Sequence, residues 1–80
     1  MLHVKFFAKA RDVVGSSVSE IPWSDGQSVL QLKQALTEKH PGLQPMISRL
    51  LIAVNNDYAA DDAAIRTGDE VACFPPVSGG

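Results

Sequence analysis

At 80 residues, 45 % of them hydrophobic and 20 % charged, the chain has the composition of one small globular domain. A domain this short buries only about 60 % of its unfolded surface, which leaves little volume for a deep catalytic cleft. A net charge of −2 without a basic cluster argues against nucleic-acid binding through phosphates, and a single cysteine rules out an internal disulfide framework and fits a reducing cytoplasm.

Met1 leads straight into a strand pattern. With no signal-peptide pattern and no apolar run long enough to span a bilayer, a cytoplasmic protein that does not engage membranes is expected. From Leu2 to Phe6 apolar and polar residues alternate, so Leu2, Val4 and Phe6 face the core. Period two then places Phe7 on the outward face with His3 and Lys5. There it is either covered by the following loop or part of a contact patch for a partner. Lys9 to Gly15 can form a single helical turn ended by Gly15. Residues 17–22 read as a second strand, antiparallel to the first and closed by Pro22. Residues 23–27 form a turn. Ser28 and Gln31 then have the spacing of a capping box, and Val29, Leu32, Ala35, Leu36 and Leu43 recur at three- and four-residue steps. This is the clearest helix of the chain, and Pro41-Gly42 stops it. His40 lies at its C-terminal end, where a partly charged imidazole suits the helix dipole.

Residues 45–49 suggest a short helical turn. Leu50 to Asn55 is a buried, strand-like run rich in branched residues. Asn56-Asp57 is expected to turn, with Tyr58-Ala59 pairing back. Asp57, Asp61 and Asp62 lack the spacing and the closing glutamate of a calcium loop, so no metal site is assigned. The turn around Gly68-Asp69 delivers the chain to a last strand, Glu70 to Phe74. Cys73 lies inside that strand as a small core thiol, with no neighbouring base to activate it.

After that strand the sequence reads Pro75-Pro76-Val77-Ser78-Gly79-Gly80. The prolines cannot donate to a ladder and fix φ in the extended range, so they end the strand and hold the last four residues away from the body. Six residues reach roughly 20 Å when extended, enough to enter a pocket on another protein. Gly79 and Gly80 carry no Cβ and can pass a narrow channel. The chain thus divides into a body, residues 1–74, and an extended tail, residues 75–80. The element order gives an α+β fold, a mixed sheet of about five strands covered on one face by one main helix.

Leu2 to Ala8, Gly68-Asp69-Glu70-Val71, Asn55 after Ile52-Ala53-Val54 and, above all, the ending Phe74-Pro75-Pro76-Val77-Ser78-Gly79-Gly80 closely resemble the small sulfur-carrier subunit of molybdopterin synthase. The resemblance spans the whole chain. It implies the ubiquitin-like β-grasp fold, with the last strand central and parallel to the first. It further implies that an adenylating activating enzyme uses ATP to activate the Gly80 carboxylate, which becomes a thiocarboxylate. That group would enter the large subunit of the synthase and donate sulfur to a cyclic pterin precursor in molybdenum cofactor biosynthesis. No cofactor is expected on the chain itself. It would be a sulfur-donating subunit with no activity alone, assembled two-plus-two with the large subunit. Gly80 would be the reactive residue, with Pro75, Pro76, Val77, Ser78 and Gly79 inserting. Phe7, Tyr58 and Phe74 are expected on one sheet face as the partner-binding anchors. Two other functions share the same terminal chemistry: a sulfur carrier for thiamine or tRNA thiolation, and a ubiquitin-like modifier attached through Gly80.

Overall fold

The computed structural model describes residues 1–75. Strand β1, Leu2–Phe6, alternates buried and exposed residues along its length, with Leu2, Val4 and Phe6 inward. Helix α1, Ala8–Val14, follows directly and is longer than the single turn expected. Gly15 ends it at φ 82°, a left-handed conformation that glycine adopts without a Cβ penalty, and its N–H donates to the Arg11 carbonyl. Strand β2, Val18–Ile21, returns antiparallel, pairing Leu2 with Ile21 and Lys5 with Val18. Ser19 and Ile21 are its inward residues.

A two-residue strand β3, Gln27–Ser28, leads into helix α2, Val29–Lys39. The capping box is complete: the Gln31 N–H donates to Ser28 Oγ at 3.2 Å, and the Ser28 N–H donates to Gln31 Oε1 at 2.8 Å. These bonds satisfy donors that the first helical turn otherwise leaves open. Val29, Leu32 and Leu36 are fully buried, with Ala35 packed beside them. A 3-10 helix, Pro41–Arg49, carries Leu43 into the same core and extends the short turn expected at its end.

His40 caps α2, in surroundings that oppose the partial charge the sequence suggested. Burial, then the neighbouring Lys39 charge, hold its imidazole below the ordinary value. Its Nε2 lies 2.9 Å from Ser19 Oγ, and its ring meets Phe6 edge-on with centroids 5.9 Å apart.

Strands β4, Leu51–Val54, and β5, Asp57–Tyr58, form a hairpin. Its turn lies one residue earlier than predicted, at Asn55 (φ 52°) and Asn56 (φ 72°). Two successive left-handed residues suit a tight hairpin, and asparagine tolerates that region better than most side chains. Strand β6, Ala64–Ile65, pairs with β3 in a separate two-stranded ribbon, which Trp23 braces by donating Nε1–H to the Ile65 carbonyl at 2.9 Å. Strand β7, Val71–Phe74, completes the main sheet.

The sheet order is β2-β1-β7-β4-β5, with β7 parallel to β1 and the other neighbours antiparallel. The first and last strands therefore meet in the middle. The helices pack on one face, and Leu2, Val4, Phe6, Leu32, Leu36, Ile52, Val71 and Cys73 fill the layer between. Among the described residues the other face carries no helix. This is the mixed α+β, ubiquitin-like β-grasp architecture expected from the sequence.

Candidate functional site

The uncovered sheet face is built by alternation. In β7, Val71 and Cys73 point to the core, so Ala72 and Phe74 point outward. The register places Leu51 beside Phe74, and Ala53 beside Ala72 on one side and Tyr58 on the other. From β1, Lys5 pairs with Ala72. The open face is thus a row of small residues flanked by large ones.

Phe7 joins this face just beyond the end of β1. Its extended backbone (φ −127°, ψ 153°) carries the ladder one step further, with its N–H donating to the Cys73 carbonyl at 3.3 Å. Ala8 then takes φ 52°, an uncommon left-handed conformation for a residue with a Cβ. That bend sends α1 to the opposite face and leaves Phe7 behind, 43 % exposed rather than covered by the following segment. The Phe7 and Phe74 rings stack in parallel, with centroids 4.9 Å apart and 9° between planes. Tyr58 meets Phe74 edge-on at 6.3 Å and 72°, and is 73 % exposed. Such offset and edge contacts add about 0.5–1.5 kcal/mol beyond burial, so the rings hold one another in place. The structure therefore brings together the three aromatics that the sequence placed on one face.

Around the rings, Lys5, Ala53, Asn56, Glu70, Val71 and Ala72 complete a shallow groove of about 260 Å³. Lys5 and Glu70 form a long, solvated ion pair at 3.9 Å across its wall. An exposed pair of this kind contributes little to stability and leaves both charges open to a partner. Leu51, 39 % exposed beside Phe74, extends the apolar surface and was not singled out from the sequence. The apolar run 50–54 has residues for both faces, so periodicity alone could not assign it.

The tail begins at the edge of this groove. Pro75, half-buried, follows Phe74 directly. The other residues assigned to tail insertion, Pro76, Val77, Ser78 and Gly79, and the reactive Gly80, lie outside the described residues. On the inner side of the same strand, burial pushes the Cys73 thiol up to about 12, which leaves it protonated and inert at neutral pH. Among the described residues no three His, Cys, Asp or Glu side chains cluster as metal ligands. Asp61 is instead paired with Lys33 at 2.9 Å. No helix among the described residues is long and apolar enough to cross a membrane. The described residues thus present an exposed apolar groove that runs up to Pro75.

The chain is similar to known proteins along nearly its whole length. The ThiS family model matches residues 4–80. The molybdopterin synthase sulfur carrier subunit of Escherichia coli K12 is 38 % identical over 82 residues, covering 100 % of both chains. The corresponding subunit of Chlamydomonas reinhardtii is 35 % identical over 81 residues, covering 99 % of this chain and 98 % of its own. The crystal structure of SAMP1 from Haloferax volcanii superposes with a TM-score of 0.86 at 31 % identity, covering 99 % of this chain and 98 % of that one.

Proposed function

The chain belongs to the ThiS family, and from that premise we propose that it is the sulfur carrier subunit of a molybdopterin synthase. The observation that carries the reading is positional. The stacked Phe7 and Phe74, with Tyr58 at their edge, end where the Pro-Pro-Val-Ser-Gly-Gly tail begins. A partner that grips the rings thereby receives the tail.

A bare carboxylate is a poor electrophile. An activating enzyme would use ATP to convert the Gly80 carboxylate into an acyl-adenylate. The outer sulfur of a persulfide would displace AMP to give an acyl disulfide, and a second thiol would attack its other sulfur, releasing the thiocarboxylate and leaving an ordinary disulfide. Docked on the large subunit, the tail would place that group in the large subunit's active site, where it donates sulfur to the cyclic pterin precursor. Acids, bases and cationic side chains would come from the partners, and the carrier alone would turn nothing over. The prolines would restrict the free tail, so that less entropy is lost on insertion. We place this chemistry in the cytoplasm, with the carrier and large subunit assembled two-plus-two.

The test is intact mass after incubation with ATP, a matching activating enzyme and a sulfur donor. The expected gain equals replacement of one oxygen by sulfur, on the peptide containing Gly80, and it disappears when Gly80 is deleted. No gain, with an activator that loads another carrier, overturns the reading.

A second reading is favoured by the likeness to SAMP1, which is a small archaeal modifier protein. The same adenylate attacked by a lysine amine would give an isopeptide conjugate. Higher-mass conjugates in cell extract, absent when Gly80 is deleted, would support that use.

A further inference from the structure

We infer that Asn55 and Asp69 form a polar clasp that positions the Tyr58 wall of the docking face. The inference rests on the docking reading above and adds to it two residues outside the groove lining. The wall has two parts: Asn56 and Tyr58 from the β4–β5 hairpin, and Glu70 just before β7. By itself the hairpin arm is weak. Strand β5 is two residues long, lies at the sheet edge and pairs with β4 through Ala53–Tyr58 and Val54–Asp57, with one further backbone bond from the Ala59 N–H to the Ile52 carbonyl at 2.9 Å.

What joins the two parts is Asn55, with its backbone N–H and both side-chain polar atoms engaged. Its backbone N–H donates to the Glu70 carbonyl at 2.7 Å. Its side-chain Oδ1 accepts from the Glu70 N–H at 2.9 Å, and its Nδ2 donates to Asp69 Oδ1 at 3.0 Å. Asp69 is held in turn, since its Oδ2 accepts from the Arg66 N–H at 2.9 Å. The hairpin turn is therefore tied at Asn55 to the segment 66–70, and Tyr58 is held where its ring meets Phe74.

The clasp requires one donor and one acceptor at position 55, and a residue that accepts φ 52°. Asn55→Asp keeps the shape and tolerates the backbone, but it replaces the donor with a carboxylate facing Asp69. Asn55→Gly keeps the backbone conformation and removes the clasp. The double exchange Asn55→Asp with Asp69→Asn reverses the polarity and restores the bond between the two side chains.

The experiment measures affinity for the synthase large subunit by titration at 20 °C, and the Tyr58–Phe74 ring contact by NMR in the free protein. Asn55→Asp is expected to weaken binding roughly tenfold, the equivalent of about 1.4 kcal/mol, and to lose the ring contact while β1–β7 amide protection persists. Asn55→Gly is expected to lose less, because it adds no repulsion. The double exchange is expected to recover both affinity and ring contact, which a merely structural loss at either site would not allow. Unchanged affinity and ring contact in Asn55→Asp would overturn the inference, as would a double exchange that recovers neither. Phe74→Ala is the control for the docking reading. If it leaves affinity unchanged, that reading fails, and the clasp is judged by the ring contact alone: lost in Asn55→Asp it stands, retained it falls.

Discussion

Strand β7 shows two surfaces that differ in what they are for. On its inner side, Val71 and Cys73 are buried against the helices, among residues that are nearly all aliphatic or aromatic. On its outer side, one residue along, Ala72 and Phe74 belong to a face that leaves Phe7, Leu51 and Tyr58 in water. Leaving large apolar side chains exposed forgoes about 25 cal/mol per Å² of possible burial, which a domain of this size has little stability to spare for. The inner surface explains the fold. The outer one is not accounted for by packing among the described residues, and on the docking reading proposed above it is the surface that meets a partner.

The two sides respond differently to substitution. Phe6→Ala, on the inner side, is expected to lose about 3–5 kcal/mol in chemical denaturation, most of the stability of a small domain. A loss below about 1 kcal/mol would mean that the inner layer is loosely packed. Alkylation of Cys73 at pH 8 is expected to be roughly a thousandfold slower in the native protein than in the unfolded chain, since its thiol is pushed up to about 12 and is fully covered. Rapid native labelling would show that the two sides exchange. Ser28→Ala removes the capping box and should cost about 1 kcal/mol, lowering Tm by about 4–8 °C with no effect on partner affinity.

The smallest expected effect is a pH dependence. His40 binds its proton less tightly in the fold than its ordinary value of 6.5, mainly through burial. The unfolded chain thus holds more protons in that range. The stabilisation is complete above about pH 6.5 and is lost as pH falls through the lower folded value. Denaturation midpoints should decline between pH 7.5 and 5, and His40→Gln should flatten that decline. An unchanged slope would assign it to other groups.

Much of this arrangement was legible in local patterns. Alternation in residues 2–6 assigned β1's inward set, the Ser28–Gln31 spacing gave the cap, and Gly15 gave the end of α1. Period two also put Phe7 outward, while the resemblance to the sulfur carriers, with its central last strand parallel to the first, put Phe74 beside it. What local patterns did not show depends on pairing across the chain. The β3–β6 ribbon joins residues 27–28 to 64–65, two stretches too short to signal strand on their own. The His40–Ser19 contact spans 21 residues, and the burial that accompanies it shifts the imidazole downward, opposite to the helix dipole. The hairpin turn shifted to Asn55-Asn56 because Asp57 and Tyr58 are used in pairing with β4. The Asn55–Asp69 clasp closes across 14 residues and has no sequence period at all.

The most direct test of the division between the two faces is Phe74→Ala, measured in one preparation for both thermal unfolding and affinity for the large subunit. Phe74 is an outer-face residue stacked on Phe7. Affinity is therefore predicted to fall at least tenfold, with a Tm within a few degrees of the unsubstituted protein. A Tm that collapses while the folded fraction binds with unchanged affinity would make Phe74 a core residue, and would contradict the assignment of this face to a partner.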